Sequence, residues 1–245
     1  MKNAVFVTVR LKSTRLKKKV MLEVNGVYVL KYLVERIKAN FDGDIVLCTS
    51  THEDDDPIQV FANLENIKCF RGSEEDVLDR YYQAAKCFDI GKIYIIYGDE
   101  PFTDVETMNK NFEMLEESKA MWIKNDSLPE GTYGYGITLK GLEYLNNNKI
   151  AEGLEVWQMM ASDMPLEKIE YHTEMKSRYE NIRVTIDYKE DFEVFKKIIN
   201  QIGEDYKTIT LEDLVQLYET QGLYNINGFR IEEYIARIKY QGTIN

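Results

Sequence analysis

Short apolar runs alternate with helical patterns through the first hundred residues of this 245-residue chain. Continuous apolar runs predict buried strands, and apolar residues spaced three and four apart predict amphipathic helices. The predicted strands cover residues 4–9, 45–48, 67–70 and 93–97, and the predicted helices cover residues 27–40, 57–64, 77–88 and 104–117. This alternation is typical of a mostly parallel sheet with helices on both faces, so we predict a Rossmann-like α/β fold.

The later part of the chain has a weaker pattern. Residues 119–150 are less regular and rich in glycine, whereas residues 182–186 predict one more strand. Further helices are predicted over residues 139–145 and 154–160, over 192–202, and from Thr210, a typical N-cap residue. The simplest account is a single domain over residues 1–245, with a less regular segment around 120–180.

The overall charge excludes some classes of partner. Asp and Glu number 42 against 31 Lys and Arg, which gives a net charge of -11 and disfavours nucleic acid or an anionic membrane as partner. No run approaches the roughly 18 apolar residues of a membrane span, and the first residues resemble a strand more than a signal peptide. The three cysteines are widely spaced, so we expect reduced thiols and a cytoplasmic protein.

One segment reverses this acidic character. Six of the ten residues from Arg10 to Lys19, called the basic loop below, are Arg or Lys. The loop follows the first predicted strand, where α/β sheets bind ligands beyond the carboxyl ends of their strands. Its guanidinium, ammonium and hydroxyl groups suit phosphate oxygens, and a solvated basic turn is the alternative. The candidate nucleotide-binding residues of the loop are Arg10, Ser13, Thr14, Arg15 and Lys19.

Two aspartates follow later strands. Asp99 comes directly after the strand at 93–97, and Asp187 directly after the strand at 182–186. Carboxylates at two strand ends can converge on one Mg²⁺, which prefers oxygen ligands and keeps water or substrate phosphates in its other positions. The structural alternative makes Asp99 a turn residue and Asp187 a helix N-cap.

Four motifs in order resemble the cytidylyltransferases, the family of CMP-KDO synthetase, acylneuraminate (sialic acid) cytidylyltransferase and the spore-coat polysaccharide enzymes. The matching positions are Arg10, Ser13, Thr14, Arg15, Leu16, Lys19, Asn25 and Gly26, the stretch 70–81, the turn 98–101, and residues 183–187 with Glu190 and Asp191. The resemblance implies the nucleotide-diphospho-sugar transferase fold and transfer of CMP from CTP to a sugar or sugar acid, with Mg²⁺ and release of pyrophosphate. It further implies a homodimer, a role in surface polysaccharide synthesis, and catalytic roles for Arg10, Arg15, Lys19 and Asp99.

The resemblance assigns further residues to substrates. It places Gly72, Ser73, Asp76 and Arg80 beside the nucleotide, although Asp76 and Arg80 are one helical turn apart and can also pair with each other at the surface. It places acceptor binding and dimerisation in the segment around 120–180. The weak acceptor candidates there are Tyr133, Tyr135 and His172.

The basic loop departs from the family pattern at three positions. Lys12, Lys17 and Lys18 stand where the family has a small residue, proline and glycine. A lysine in place of the glycine removes backbone freedom close to the phosphate site and adds positive charge there.

The sequence leaves three other functions open. The acceptor can be a phosphorylated small molecule, or the chain can bind a nucleotide without catalysis. A glycosyltransferase is the third, because Asp54–Asp56 superficially resembles its Asp-x-Asp metal motif.

Overall fold

The computed structural model describes residues 1–149, 157–233 and 236. Its strands are β1 (Lys2–Thr8), β2 (Glu23–Val24), β3 (Val27–Tyr28), β4 (Asp44–Ser50), β5 (Lys68–Gly72), β6 (Ile90–Tyr97), β7 (Trp122–Lys124), β8 (Tyr135–Thr138) and β9 (Lys168–Glu170). Its α-helices are α1 (Val29–Asn40), α2 (Asp56–Leu64), α3 (Val77–Cys87), α4 (Val105–Glu117), α5 (Leu139–Asn148), α6 (Trp157–Asp163), α7 (Lys176–Tyr179), α8 (Lys189–Ile202), α9 (Leu211–Thr220) and α10 (Tyr224–Asn227). None of these helices combines the length and hydropathy that a bilayer span requires.

Seven strands form one sheet in the order β5-β4-β1-β6-β8-β7-β9. The pairs β1–β4, β1–β6 and β4–β5 are parallel, which confirms the predicted α/β fold for this half of the sheet. β8 runs antiparallel to both β6 and β7, and β9 is parallel to β7. The sheet is therefore mixed, with its parallel half built from the first hundred residues.

The less regular segment predicted around 120–180 contains three strands of this sheet. β7 and β9 have three residues each and β8 has four, so they are too short to show a clear alternating pattern. Gly136 also interrupts β8 in the sequence. A Cβ at that position would lie 2.9 Å from Oδ1 of Asn111, so the close approach of α4 favours glycine there.

The strand predicted at residues 182–186 is wrong. Arg183 forms only a single parallel bridge with Glu130, and the neighbouring backbone bonds join this segment to loops. The N–H of Val184 donates to the carbonyl of Glu130 at 2.8 Å, and the N–H of Ile186 donates to the carbonyl of Asp99 at 2.9 Å. The apolar residues of the segment are buried, as in a strand, but the partners are the turns that border the candidate site.

Helices cover both faces of the sheet. α3, α5 and α6 pack on one face, where Trp157 meets Tyr81 edge-to-face with ring centroids 5.7 Å apart. α1, α2 and α4 pack on the other face, and α8 and α9 form a third apolar cluster with Tyr32 and Phe102. The helix predicted over 154–160 is found as α6 from Trp157; residues 154–156 lie outside the described residues.

Candidate active site

A cavity of about 600 Å³ opens where β1 and β6 end. Its lining includes the basic loop, the turn 98–100, Arg80 on α3, the segment 130–135, the start of α6, and Thr185 with Asp187. Adjacent parallel strands direct their carboxyl ends to the same edge of the sheet, and this edge is where the sequence places its charged motifs.

A buried carboxylate fixes how the basic loop leaves the sheet. Asp55 is only 2% exposed, and its Oδ1 accepts the N–H of Leu11 at 2.7 Å. Its Oδ2 accepts the hydroxyl of Ser50 at the end of β4. The other two aspartates of this acidic turn do not contact the basic loop in this way. Asp56 pairs with Arg71, and Asp54 is exposed. Asp55 thus serves the loop's structure, and none of the three aspartates lines the cavity, which removes the feature that favoured a glycosyltransferase.

Lys18 adopts the left-handed conformation, with φ 51° and ψ 34°, immediately before the 3₁₀ turn Lys19–Met21. A residue with a Cβ pays a steric cost there that glycine does not. The loop therefore keeps the backbone shape that a glycine favours, and the lysine adapts to it.

We expect Lys18→Gly to leave the free energy of unfolding unchanged or to raise it by up to about 1 kcal/mol, because relief of strain offsets the extra freedom of the unfolded chain. Lys17 has no positive φ and is the matched control. Lys17→Gly should cost about 0.5–1 kcal/mol. Urea unfolding of both variants measures this, and a greater loss in Lys18→Gly than in Lys17→Gly would contradict the strain.

Lys19 joins the two aspartates that the sequence singled out. Its Nζ forms ion pairs with Asp99 and with Asp187, the latter at 2.7 Å. Arg15 contacts the carboxylate of Asp187 at 2.5 Å. The backbone hydrogen bond from the N–H of Ile186 to the carbonyl of Asp99 holds the segments of the two aspartates side by side. The structure therefore brings Arg15, Lys19, Asp99 and Asp187 together. Asp187 is also not a helix N-cap, because Tyr188 occupies that position on α8.

The cluster fixes the charge of its members. Burial disfavours the ionised form of Asp187, but Lys19 and Arg15 outweigh it and hold the pKa of this carboxyl well below its usual range. Burial likewise acts to lower the pKa of Lys19, and the carboxylates of Asp99 and Asp187 raise it above the ordinary value. Near neutral pH, Asp187 is thus ionised and Lys19 is charged.

A second, fully buried layer holds Asp187 in place. Arg183 donates to Asp187 Oδ2 at 3.0 Å and to Asp191 Oδ1 at 3.1 Å. Asp191 Oδ2 accepts the N–H groups of Asp187 and Tyr188 at 3.0 and 2.9 Å. Asn227 at the end of α10 donates to Asp191 at 2.9 Å, so this late helix also supports the site. Sequence reasoning missed Asn227, because no local pattern marks a single amide that is remote from the motifs.

We expect Asp191→Ala to lower the free energy of unfolding by about 3–5 kcal/mol, because it removes one of the two carboxylates that pair with buried Arg183 and the acceptor of two backbone N–H groups. The control is Glu106→Ala, which removes an exposed carboxylate from α4. Chemical denaturation measures both. A loss below about 1 kcal/mol in Asp191→Ala, the range of exposed pairs, would mean that the layer is not structural.

The donor set fits a magnesium ion. Within the described residues, no group of three or more Asp, Glu, His or Cys side chains is arranged to hold a metal ion. Asp99 and Asp187 nevertheless direct oxygens at one cation, the ammonium of Lys19. Mg²⁺ in nucleotide sites commonly takes one or two carboxylates and completes its shell with phosphates and water.

The other predicted nucleotide residues divide into two groups. Arg10, Ser13, Thr14 and Arg80 line the cavity, whereas Gly72, Ser73 and Asp76 do not. Asp76 instead caps α3 and pairs with Lys149. Ser73 and Gly72 support Arg80. The Ser73 carbonyl accepts from Arg80 Nη1 at 2.7 Å, and a Cβ at Gly72 would lie 3.0 Å from Arg80 Cγ.

Arg80 is fully buried, so a surface pair with Asp76 does not form. Its Nε and Nη2 have no hydrogen-bond partner among the described residues. Buried guanidinium donors are normally satisfied, so this side chain can donate hydrogen bonds to a ligand's oxygen atoms. The role of Arg80 at the nucleotide stays a prediction.

The predicted acceptor residues also divide. Tyr133 and Tyr135 line the cavity. His172 does not, because it follows β9 at the outer edge of the sheet, where its side chain is 62% exposed beside Asp126.

Sequence reasoning missed four other residues that line the cavity: Glu100, Glu130, Trp157 and Gln158. Burial, with Asp99 and Glu130 nearby, raises the pKa of Glu100 well above its usual value. Glu100 sits inside the Gly-Asp-Glu-Pro motif and could have been marked by its place beside Asp99. The other three lie in the segment whose strands were too short to recognise.

The cytidylyltransferase family model matches residues 4–231. Uncharacterized protein MJ1063 of Methanocaldococcus jannaschii is 30% identical over 190 residues, 76% of this chain and 78% of that protein. Spore coat polysaccharide biosynthesis protein SpsF of Bacillus subtilis is 27% identical over 204 residues, 80% of this chain and 85% of that protein.

Solved structures agree with this match. A cytidylyltransferase from Leptospira borgpetersenii superimposes with a TM-score of 0.84 at 25% identity, over 93% of this chain and 98% of that one. A CMP:2-keto-3-deoxy-manno-octonic acid synthetase complexed with CTP shares the fold, with a TM-score of 0.61 at 14% identity, over 82% of this chain and 99% of that one.

Proposed function

Because the chain belongs to the cytidylyltransferase family and is a nucleotidyltransferase that uses CTP, we propose that it transfers CMP to a hydroxyl group of a sugar or sugar acid. The observation that carries the proposal is the convergence of Arg15 and Lys19 with Asp99 and Asp187 at the edge where β1 and β6 end. These groups have the charges that a triphosphate and its metal ion require.

Each cluster residue has a role in this reaction. Arg10, Arg15 and Lys19 hold the triphosphate, and Ser13 with Thr14 offers hydroxyl and backbone N–H donors. Asp99 and Asp187 hold Mg²⁺, which supplies charge neutralisation at the α-phosphate and the departing pyrophosphate. The acceptor oxygen attacks the α-phosphate opposite the pyrophosphate. Positioning and charge stabilisation provide most of the acceleration, since phosphoryl transfer asks little covalent chemistry of the protein.

Lys19 has a second task. It is the present counter-ion of both carboxylates, so it must leave them before they ligate a metal ion. The phosphates of the incoming nucleotide then become its new partner. Without substrate, Lys19 thus neutralises negative charge on Asp99 and Asp187. When the nucleotide and its metal ion bind, the aspartates pair with the metal ion and Lys19 pairs with phosphate.

We also propose that the product serves surface polysaccharide synthesis, in a cytoplasmic homodimer. The name of the Bacillus subtilis relative, a spore coat polysaccharide biosynthesis protein, supports the first part. The homodimer stays a prediction from the family resemblance, and the cytoplasmic location stays a prediction from the widely spaced cysteines.

Pyrophosphate release tests the proposal. The purified chain receives each of the four NTPs with Mg²⁺ and a panel of sugars, sugar acids and phosphorylated small molecules, and mass spectrometry identifies the product. We expect release that requires CTP, Mg²⁺ and a sugar-type acceptor. Release with phosphorylated acceptors alone would move the activity to that class. CTP binding without release for any acceptor would support a non-catalytic protein.

A further inference from the structure

The cavity has two walls of different chemistry. One wall is the basic loop with Arg80. The other, called the aromatic wall here, combines Tyr97, Tyr133, Tyr135 and Trp157 with the carboxyl groups of Glu100 and Glu130. Its residues lie on or beside β6, β8 and α6, on the side of β1 away from β4 and β5. Asp99 and Asp187 lie within the same cavity. The basic loop takes the triphosphate in the proposed reaction, which leaves the aromatic wall for the acceptor.

The two carboxyl groups stand among aromatic rings. The hydroxyl of Tyr133 donates to Glu130 Oε2 at 3.1 Å, and the N–H of Tyr97 donates to Glu100 Oε2 at 3.2 Å. Tyr135 lies edge-to-face with Tyr133 and with Trp157, at centroid distances of 6.2 and 5.8 Å. Glu100 is 8% exposed, so its carboxyl group sits at a desolvated surface.

Gln158 adds another hydrogen-bond acceptor to this wall. Its Nε2 donates to the hydroxyl of Tyr97 at 3.4 Å, and its buried Oε1 has no partner among the described residues. The carboxylate of Glu130 and the amide oxygen of Gln158 accept hydrogen bonds and cannot donate them, whereas the raised pKa of Glu100 favours its neutral form. The wall therefore suits a ligand group that is rich in N–H or O–H donors.

The positively charged residues of the cavity lie on only one of its two walls. The cationic residues that line the cavity in the described part of the chain are Arg10, Lys12, Arg15, Lys19 and Arg80. All belong to the basic loop or to α3, and the aromatic wall contributes none. A carboxylate or phosphate on a ligand would meet the carboxylate of Glu130 as a like charge on this wall, at a cost that disfavours it.

Aromatic rings combined with carboxylates are a typical recognition surface for an ammonium group, which gains from ring faces and from opposite charge together. We propose that the acceptor carries an ammonium group, as an amino sugar or amino alcohol does, and that the carboxylate of Glu130 binds it, with Gln158 as a further hydrogen-bond acceptor. The inference rests on the proposed function, because that function makes this wall the acceptor side.

Ligand-observed NMR titrations of the full chain near neutral pH test this. The first probe set is glucosamine, glucose and glucuronate, and the second is ethanolamine, ethylene glycol and glycolate. Each set varies one group from cationic through neutral to anionic, and the two sets distinguish an amino sugar from an amino alcohol. We expect the cationic member of one set to bind roughly tenfold tighter than its neutral counterpart.

Isosteric variants identify the binding groups. Glu130→Gln should reduce or abolish the cationic preference and leave binding of the neutral probe within about twofold. Glu106→Gln on α4, outside the cavity lining, is the control and should retain the preference. Thermal melting establishes that each variant is folded.

Three results would overturn the inference: equal or tighter binding of the neutral or anionic probes, no saturable binding by either amine, or an unchanged preference in the folded Glu130→Gln variant. CTP binding is measured separately by thermal shift with Mg²⁺. Failure to bind CTP would reject the proposed function itself, whereas CTP binding without a cationic preference would reject only the ammonium acceptor.

Discussion

Asp99→Asn is expected to lower kcat for pyrophosphate release by about a thousandfold, the range seen when one preorganised charge-stabilising group is lost. Asparagine keeps the shape of the side chain but removes one of the two negative charges that would hold Mg²⁺. The fold should survive, because Lys19 keeps its pair with Asp187. A coupled pyrophosphate assay at saturating CTP and acceptor measures the effect.

The control for this variant is Glu106→Gln, which also removes one carboxylate charge but on the exposed face of α4. It should turn over at the wild-type rate. If Asp99→Asn stays within about threefold of wild type, less than 1 kcal/mol of barrier, Asp99 does not act at the metal.

Lys19→Met is expected to destabilise the metal-free protein by about 3 kcal/mol, because it leaves two largely buried carboxylates without their shared cation. For a chain of this size that corresponds to a melting temperature lower by roughly 6–12 °C. Mg²⁺ alone should then restore part of the loss, since a cation that binds only the native state raises its stability. In the wild-type protein, Lys19 occupies the carboxylates, and Mg²⁺ alone should change the melting temperature little.

Differential scanning calorimetry with and without Mg²⁺ distinguishes this account from a simple loss of packing. The matched control is Lys31→Met, which removes a lysine that pairs with Glu65 outside the cavity. Its melting temperature should not depend on Mg²⁺. Equal Mg²⁺ responses in Lys19→Met and in wild type would contradict the role of Lys19 as counter-ion.

The parallel half of the fold was predictable because each of its elements is long enough to show a period. β1, β4 and β6 have seven or eight residues, and the helices between them carry one apolar face each. The antiparallel half was not predictable. β8 has only four residues, and one of them is Gly136, which packs closely against Asn111. The sequence therefore shows no alternation of apolar and polar residues there, although most residues of β8 are buried.

The candidate site shows the same division. Arg15, Lys19, Asp99 and Asp187 stand next to recognisable elements or motifs, and the structure brings them together. Lys18 was recognised as a departure, but the sequence does not reveal that it keeps the left-handed conformation. Asp55 was seen only as part of an acidic turn, because a long-range bond to the N–H of Leu11 leaves no trace in local spacing.

The aromatic wall is the part that depends most on tertiary structure. Glu100, Glu130 and Trp157 come from three separate segments, and their common feature is the cavity that they line. Asp76 is a different case. Its place in a motif favoured a ligand role, whereas its side chain caps α3 and pairs with Lys149. Motif position alone does not separate a residue that shapes a loop from one that touches the substrate.

The central claim is that Asp99 and Asp187 bind one metal ion together with a nucleotide held by the basic loop. Crystals soaked with Mn²⁺ and a non-hydrolysable CTP analogue test it most directly, because anomalous scattering locates the manganese. The account predicts one peak within coordination distance of both carboxylates, triphosphate oxygens beside Arg15, and Lys19 moved from the aspartates to phosphate. A metal ion bound elsewhere, or a triphosphate that leaves the Lys19 ion pairs intact, would contradict it.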